Sequence, residues 1–398
     1  MIAAASAAGT PKPHLRAENA GYMLQLDSVR AIAIGLVIIE HLGGPVVREH
    51  FPLSAGALGV DLFFVLSGFL ISGNLFALLE EKAARSSAVL GVFFFRRAVR
   101  LVPPYYAILA LLWLTDLFQM RETWPWHTLY ASNFLVGPEG PQQHFWSLAV
   151  EEQFYLLLPL VLLGLPLRRR TVAGAGLVAV GLLSRCFVLM ADLPWAPFEA
   201  SLPGKLEVLG GGVLLGALCY RDGRRVFDLL DGPVGWLFAA AAAVALATEL
   251  TVFYLLPIDG VVRYLTFTLT GAIYLGWLVV FAARGFSGLL GRIFNHKALR
   301  YVGRISYTLY LVHPVAPKLL ELPAVAAVTG PLPRPVLGIA SLALSILVAA
   351  LSWNLLERPV VGWGRQFLRS RQGGGMREVT AGVGSTLAER LTIAERGP

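Results

Sequence analysis

The stretch "LDSVRAIAIGLVIIEHLGG", residues 26–44, decides how the rest of the chain is read. Its Ile, Leu, Val and Ala make a run long enough to cross a bilayer as a helix, yet it carries Asp27, Arg30, Glu40 and His41. Residues eleven apart on a helix differ by about three turns plus 20°, so Arg30 and His41 share one face about 16 Å apart along the axis. Ionisable groups at membrane depth either serve a function or snorkel to a rim. The face is thus a functional stripe or a pair of interfacial anchors. Glu40, a neighbour in sequence, points about 100° away from His41, so a partner for the imidazole must come from another helix.

The rest of the chain repeats this pattern. Of 398 residues 56% are hydrophobic and 15% charged, well below the roughly 25% charged of a soluble chain. Apolar spans are predicted near 24–43, 58–79, 101–118, 146–165, 172–190, 206–220, 233–256, 262–283, 303–321 and 336–356. The fold class expected is all-α, a polytopic membrane bundle of about ten transmembrane helices. Placing both termini in the cytoplasm puts 25 of the 33 Lys and Arg residues on inner segments and six at the outer side, the bias that sets orientation. Three parts follow: an N-terminal segment 1–23, a membrane domain 24–358, and a polar, Gly-rich tail 359–398 read as mobile. The net charge of +8 lies in short clusters between apolar runs, which argues for membrane topology and against nucleic acid. Cys186 and Cys219 fall inside apolar runs and suggest neither disulfides nor a metal site, and the histidines show no metal-ligand spacing.

Four further stretches carry polar residues that need explaining. In "GVDLFFVLSGFLIS" (59–72), Asp61 lies near the outer end of the second span, at the depth of His41, as a functional group or a helix cap; Ser67-Gly68 reads as close helix packing. In "FFFRRAVRLVPPYY" (93–106), Arg97 and Arg100 share a helix face and form with Arg96 a cationic site. Guanidinium forks grip phosphates, though anchoring on anionic lipid is the plainer reading of such a cluster. In "HFWSLAVEEQFYLLLPL" (144–160), Ser147, Glu151 and Tyr155 form a polar stripe; Glu151 needs a cation such as His41 or Arg30, and His144 reads as an exposed loop residue. In "ISYTLYLVHPV" (305–315), Ser306, Tyr310 and His313 line one face, and a His before Pro314 also suits a structural role. Arg185 and Glu207 complete the buried charges, and Trp124, Trp126, Tyr130 and Trp146 suit either sugar stacking or an interfacial belt.

In this order, Arg30 and His41, "FFVLSGFLI", the Arg-x-x-Arg of Arg97 and Arg100, "WSLAVEEQFYLLLP" and "ISYTLYLVHP" resemble the integral-membrane acyltransferase family 3, over roughly residues 24–358. Where that family usually carries Arg and Asp, "LPGKLEVLGGGVLLGAL" (202–218) has Lys205 and Glu207. The resemblance implies acyl transfer from cytoplasmic acyl-coenzyme A, with acetyl as the expected group, to a hydroxyl of a sugar-containing acceptor in the bacterial inner membrane. It implies essential roles for Arg30 and His41 and a supporting one for the paired arginines. On that footing Arg97, Arg100 and Arg96 hold the donor phosphates, and the thiol arm runs past Arg30 to His41, a general base or an acylated nucleophile. Glu151 or Asp61 orients the imidazole. Ser147, Tyr155, Trp146 and His313 are the expected substrate contacts, with no metal required. No fused esterase-like domain is expected, since the chain ends about 40 residues after the last span. A transporter or flippase of a lipid-linked sugar is the rival, although no internal repeat is visible.

Overall fold

The computed structural model describes residues 23–43, 55–80, 86–135, 144–166, 169–255, 275–330 and 332–371, and among them every regular element is helical. The N-terminal segment 1–22, the first part of the span predicted at 262–283, and residues 372–398 of the predicted tail lie outside the described residues.

Helix α1 (Leu24–Leu42) leads to α2 (Ala55–Glu80), α3 (Ser86–Thr115), α4 (Met120–Thr128), α5 (Phe145–Leu163) and α6 (Arg170–Met190). The short α7 (Trp195–Glu199) precedes α8 (Leu206–Asp231) and α9 (Pro233–Leu255). Then come α10 (Leu275–Arg284), bent by 90° into α11 (Gly288–Phe294), α12 (Lys297–Val312), α13 (Val315–Leu320) and α14 (Pro323–Thr329). Helix α15 (Arg334–Ser352) runs through a π-helical turn (Trp353–Glu357) into α16 (Arg358–Arg371). Five described helices are long and apolar enough to cross a membrane, six if the bent pair α10–α11 is one span. The chain is a multi-pass membrane protein: large apolar side chains such as Leu183, Phe187, Trp236 and Ile339 stand exposed on outer helices, where only lipid would cover them at no cost.

Helix α2 is strongly apolar apart from Asp61, Ser67, Ser72 and Asn74, and it is mostly buried among its neighbours, as such a helix must be. Glycines set its neighbours. A Cβ on Gly68 would strike the Leu209 carbonyl and Gly212 of α8, and one on Gly59 would strike Ala33 and Val37 of α1. Gly303 likewise brings α12 against Asp27 of α1. Small residues at such crossings let backbones approach until dispersion and backbone polarity hold them, the usual device where lipid removes the hydrophobic drive between helices.

Several element boundaries differ from expectation. Helix α3 starts at Ser86, so Arg96, Arg97 and Arg100 lie on the helix itself rather than in a loop, and α8 runs well past residue 220. The span predicted at 303–321 breaks after Val312, because Pro317 and the His313-Pro314 step turn the chain into the separate α13. The tail expected from 359 begins as helix α16, packed on α3 through Phe95, Trp363 and Phe367.

Candidate functional site

Helices α1, α2, α3, α5 and α12 enclose a cavity of about 300 Å³. Arg30 of α1 and Arg97 and Arg100 of α3 line it, as do Ser67 and Asn74 of α2, Ser147, Glu151 and Tyr155 of α5, and Tyr310 of α12. Their helical spacing explains the gathering: 67 and 74 stand two turns apart on α2, and 147, 151 and 155 one turn apart on α5, so each helix turns one polar stripe to the same space.

One side of the cavity is a connected chain of polar groups. The Arg97 guanidinium lies over the Tyr155 ring, 3.3 Å from its centroid. Ser67 Oγ is 2.6 Å from Tyr155 Oη and 2.6 Å from Glu151 Oε1. A carboxylate only accepts, so the single Ser67 proton goes to Glu151 and Tyr155 donates to Ser67. Arg97 and Arg30 are close enough to attract the Glu151 charge. Arg97 Nε is buried with no hydrogen-bond partner among the described residues, and Arg100 stands exposed. The cavity thus holds an aromatic-backed guanidinium with an unmet donor, facing a hydrogen-bonded carboxylate. That pairing suits an anionic ligand with a polar, uncharged extension.

The other end closes on Ser147 and Tyr310, whose hydroxyls are 2.6 Å apart. Tyr310 also donates to the His144 carbonyl at 3.0 Å. Beyond them three imidazoles gather: His41 lies 5.1 Å from His313 between ring centroids, and His144 lies 5.8 Å from His313. His41 Nδ1 is 2.8 Å from the Val37 carbonyl and His313 Nδ1 is 2.7 Å from that of Tyr310. Carbonyls only accept, so both rings carry hydrogen on Nδ1, and a neutral His41 keeps the lone pair on Nε2, which a base needs. His41 is exposed on its far side, whereas His313 is fully buried.

A separate ionic network lies between α2, α6, α7 and α8. Lys205 Nζ is 3.0 Å from both Asp61 and Glu199; Arg185 pairs with Glu199 at 2.7 Å and with Glu207. Lys205 also faces the Trp146 ring at 5.8 Å, and Trp146 meets Phe64 of the cavity wall.

These placements correct several expectations. Asp61 turns to Lys205, because the close α2–α8 approach puts a buried cation beside it, and no described contact joins it to His41. Glu151 is met by Ser67, not by His41. Ser67 belongs to the cavity and leaves helix packing to Gly68. His144, read as an exposed loop residue, is buried at the start of α5 against Phe145. The cavity brings together Arg30, Arg97, Arg100, Ser147, Glu151 and Tyr155; its walls do not include His41, His313, Asp61, Arg96 or Trp146. Asn74 and Tyr307, also in the wall, escaped the sequence reading, although Asn74 repeats Ser67 at a two-turn interval.

Residues 23–351 match the family described as the acyltransferase domain. The chain is 28% identical over 380 residues to the peptidoglycan O-acetyltransferase OatA of Listeria monocytogenes, covering 85% of this chain and 56% of that protein. It is 28% identical over 373 residues to the O-acetyltransferase OatA of Staphylococcus aureus, covering 85% and 57%. The chain therefore spans a little over half the length of the curated relatives it matches. No solved structure matches it.

Proposed function

The chain belongs to the acyltransferase family, and from that premise we propose that it is a membrane O-acetyltransferase. Its donor is acetyl-coenzyme A, bound from the cytoplasm. Its acceptor is a hydroxyl of a sugar-containing polymer at the outer face of the bacterial inner membrane, with peptidoglycan, the substrate in the name of one relative, as the first candidate. About ten spans with both termini inside complete the reading.

The observation that carries it is the cavity with arginines and a hydrogen-bonded carboxylate in its walls. A volume of about 300 Å³ is at the small end of ligand sites, room for a thioester arm rather than a whole nucleotide. The nucleotide phosphates stay at the mouth with the exposed Arg100 and with Arg97, whose stacking on Tyr155 presets its fork and whose Nε awaits an acceptor. The arm extends past Arg30 to Ser147 and Tyr310.

Chemistry follows at the histidine end. The acceptor oxygen attacks the thioester carbonyl while His41 Nε2 takes its proton; the carbon–sulfur bond breaks, and the proton passes to the departing thiolate, leaving ester and thiol. A positioned base of this kind contributes about 10²- to 10⁴-fold. His313, Ser147 and Tyr310 stand between the cavity and His41, so reaction requires Tyr310 to turn aside and admit the acetyl end. Membranes carrying the protein, given radiolabelled acetyl-coenzyme A and peptidoglycan precursors, should transfer label to the glycan. His41→Ala should abolish the transfer, and label crossing the membrane without esterification would reject the reading in favour of transport.

A further inference from the structure

His313 closes the last turn of α12 and is fully buried. Its Nδ1 is tied to the Tyr310 carbonyl at 2.7 Å, so that nitrogen carries the hydrogen and Nε2 keeps a lone pair. Nε2 is buried and has no hydrogen-bond partner among the described residues. A buried acceptor without a donor is costly, and one that persists beside reacting groups points to a donor that arrives during the reaction.

The ring's neighbours narrow the choice of donor. Tyr310 lies 5.5 Å away between centroids, but its hydroxyl already donates to the His144 carbonyl at 3.0 Å. His144 lies 5.8 Å away, and its own Nε2 is without a partner among the described residues, so that nitrogen does not supply the hydrogen. His41 is nearest, edge-on at 5.1 Å with 79° between the ring planes. Both His41 and His313 turn Nδ1 back to a carbonyl of their own helix, Val37 and Tyr310, which leaves Nε2 as the outer end of each ring. Centroids 5.1 Å apart let a nitrogen of one ring reach a nitrogen of the other through a single hydrogen bond. Neutral His41 has no hydrogen on Nε2 to give; once it has taken the acceptor's proton, it does. The unmet lone pair of His313 is therefore complementary to the protonated state of the base and not to its resting state, the kind of preorganisation that favours a reaction.

We propose that His313 is a second catalytic residue, which carries the proton from His41 to the departing thiolate. The inference rests on the acetyl-coenzyme A reading above. The acceptor oxygen attacks the thioester carbonyl as its O–H bond breaks and the His41 Nε2–H bond forms. The tetrahedral adduct then expels the thiolate, which leaves with the electron pair of the carbon–sulfur bond. The same proton moves from His41 Nε2 to His313 Nε2 and from there to sulfur. Both imidazoles end neutral, and ester and thiol are the only products. His313 suits the second half of this transfer because its ring lies against Tyr310 of the cavity wall as well as against His41.

The test compares two acetyl donors with the whole chain in membranes and peptidoglycan precursors as acceptor. Acetyl-coenzyme A releases an alkyl thiolate, which departs far more readily when it is protonated, whereas p-nitrophenyl acetate releases a phenolate that needs no proton. His313→Asn keeps an amide N–H for the Tyr310 carbonyl and removes Nε2. It should lower kcat with acetyl-coenzyme A about 100-fold at unchanged KM, and leave kcat with p-nitrophenyl acetate within about twofold of wild type. Equal losses with both donors, or an undiminished kcat with acetyl-coenzyme A, would overturn the proposal. Should His313→Asn fail to accumulate, the wild-type protein carries the test: kcat plotted against deuterium content in mixed light and heavy water should curve with acetyl-coenzyme A, where successive transfers are in play, and run straight with p-nitrophenyl acetate. Straight lines with both donors count against it. A wild-type protein active on p-nitrophenyl acetate but inert on acetyl-coenzyme A removes the donor reading and this inference with it; full activity of His313→Asn on acetyl-coenzyme A removes this inference alone.

Discussion

Ser67 has one proton and two neighbours that want it. Because it gives that proton to Glu151 and accepts from Tyr155, a single hydroxyl orders both the carboxylate and the ring under Arg97. Ser67→Ala should therefore take a partner from buried Tyr155, at about 1–3 kcal/mol, and from half-buried Glu151 at less, and lower acetyl transfer about tenfold or more, measured as kcat/KM. Ser67→Thr keeps the hydroxyl and should retain most activity. Glu151→Gln should cost more than Ser67→Ala, since it removes the charge facing Arg97 and Arg30; equal rates for wild type and Glu151→Gln would remove Glu151 from the site. Arg30, Arg97, Arg100, Ser147, Glu151 and Tyr155 were legible in the sequence because a charge or polar stripe inside an apolar helix has few innocent explanations. Asp61 was legible as unusual but not as Lys205's partner. Which of several buried cations a carboxylate meets depends on helix neighbours, and one sequence does not reveal them.

At the scale of elements, the α2–α8 crossing is held by Gly68, Gly212 and Gly216 and pinned by the Asp61–Lys205 pair. Gly68→Leu should prevent the helices from meeting and abolish folded protein, read as loss of a monodisperse species in detergent. Lys205→Met strands Asp61 without its cation and should destabilise by about 3–5 kcal/mol, read as a lower thermal midpoint. Lys205→Met combined with Asp61→Leu should recover much of that loss, because the uncompensated charge is then gone, and a double variant less stable than Lys205→Met would contradict this. Helix centres were readable from apolar runs, whereas ends were not: the extension of α3 to Ser86 and of the last helix to Arg371 rests on packing between α3 and α16 through Phe95, Trp363 and Phe367. The π turn left no composition signal at all.

For the whole molecule, the proposed function joins two places that the Ser147–Tyr310 contact separates. Arg30, Arg97 and Arg100 line the cavity, where the proposed anionic donor would sit, and His41, its Nδ1 turned to the Val37 carbonyl, lies beyond Tyr310 and His313. Apolar composition and the distribution of Lys and Arg led to a polytopic bundle, and the order of polar stripes led to the family. The wall between cavity and His41 was not foreseeable, because it is made by Tyr310 and Ser147 from distant helices meeting hydroxyl to hydroxyl. The most direct measurement is equilibrium binding of acetyl-coenzyme A to the purified protein and its variants. Arg97→Ala should weaken binding about 10- to 100-fold, as loss of a charged phosphate contact does, while His41→Ala binds like wild type yet transfers nothing. Undiminished binding by Arg97→Ala, or no binding by the wild-type protein, would contradict the account.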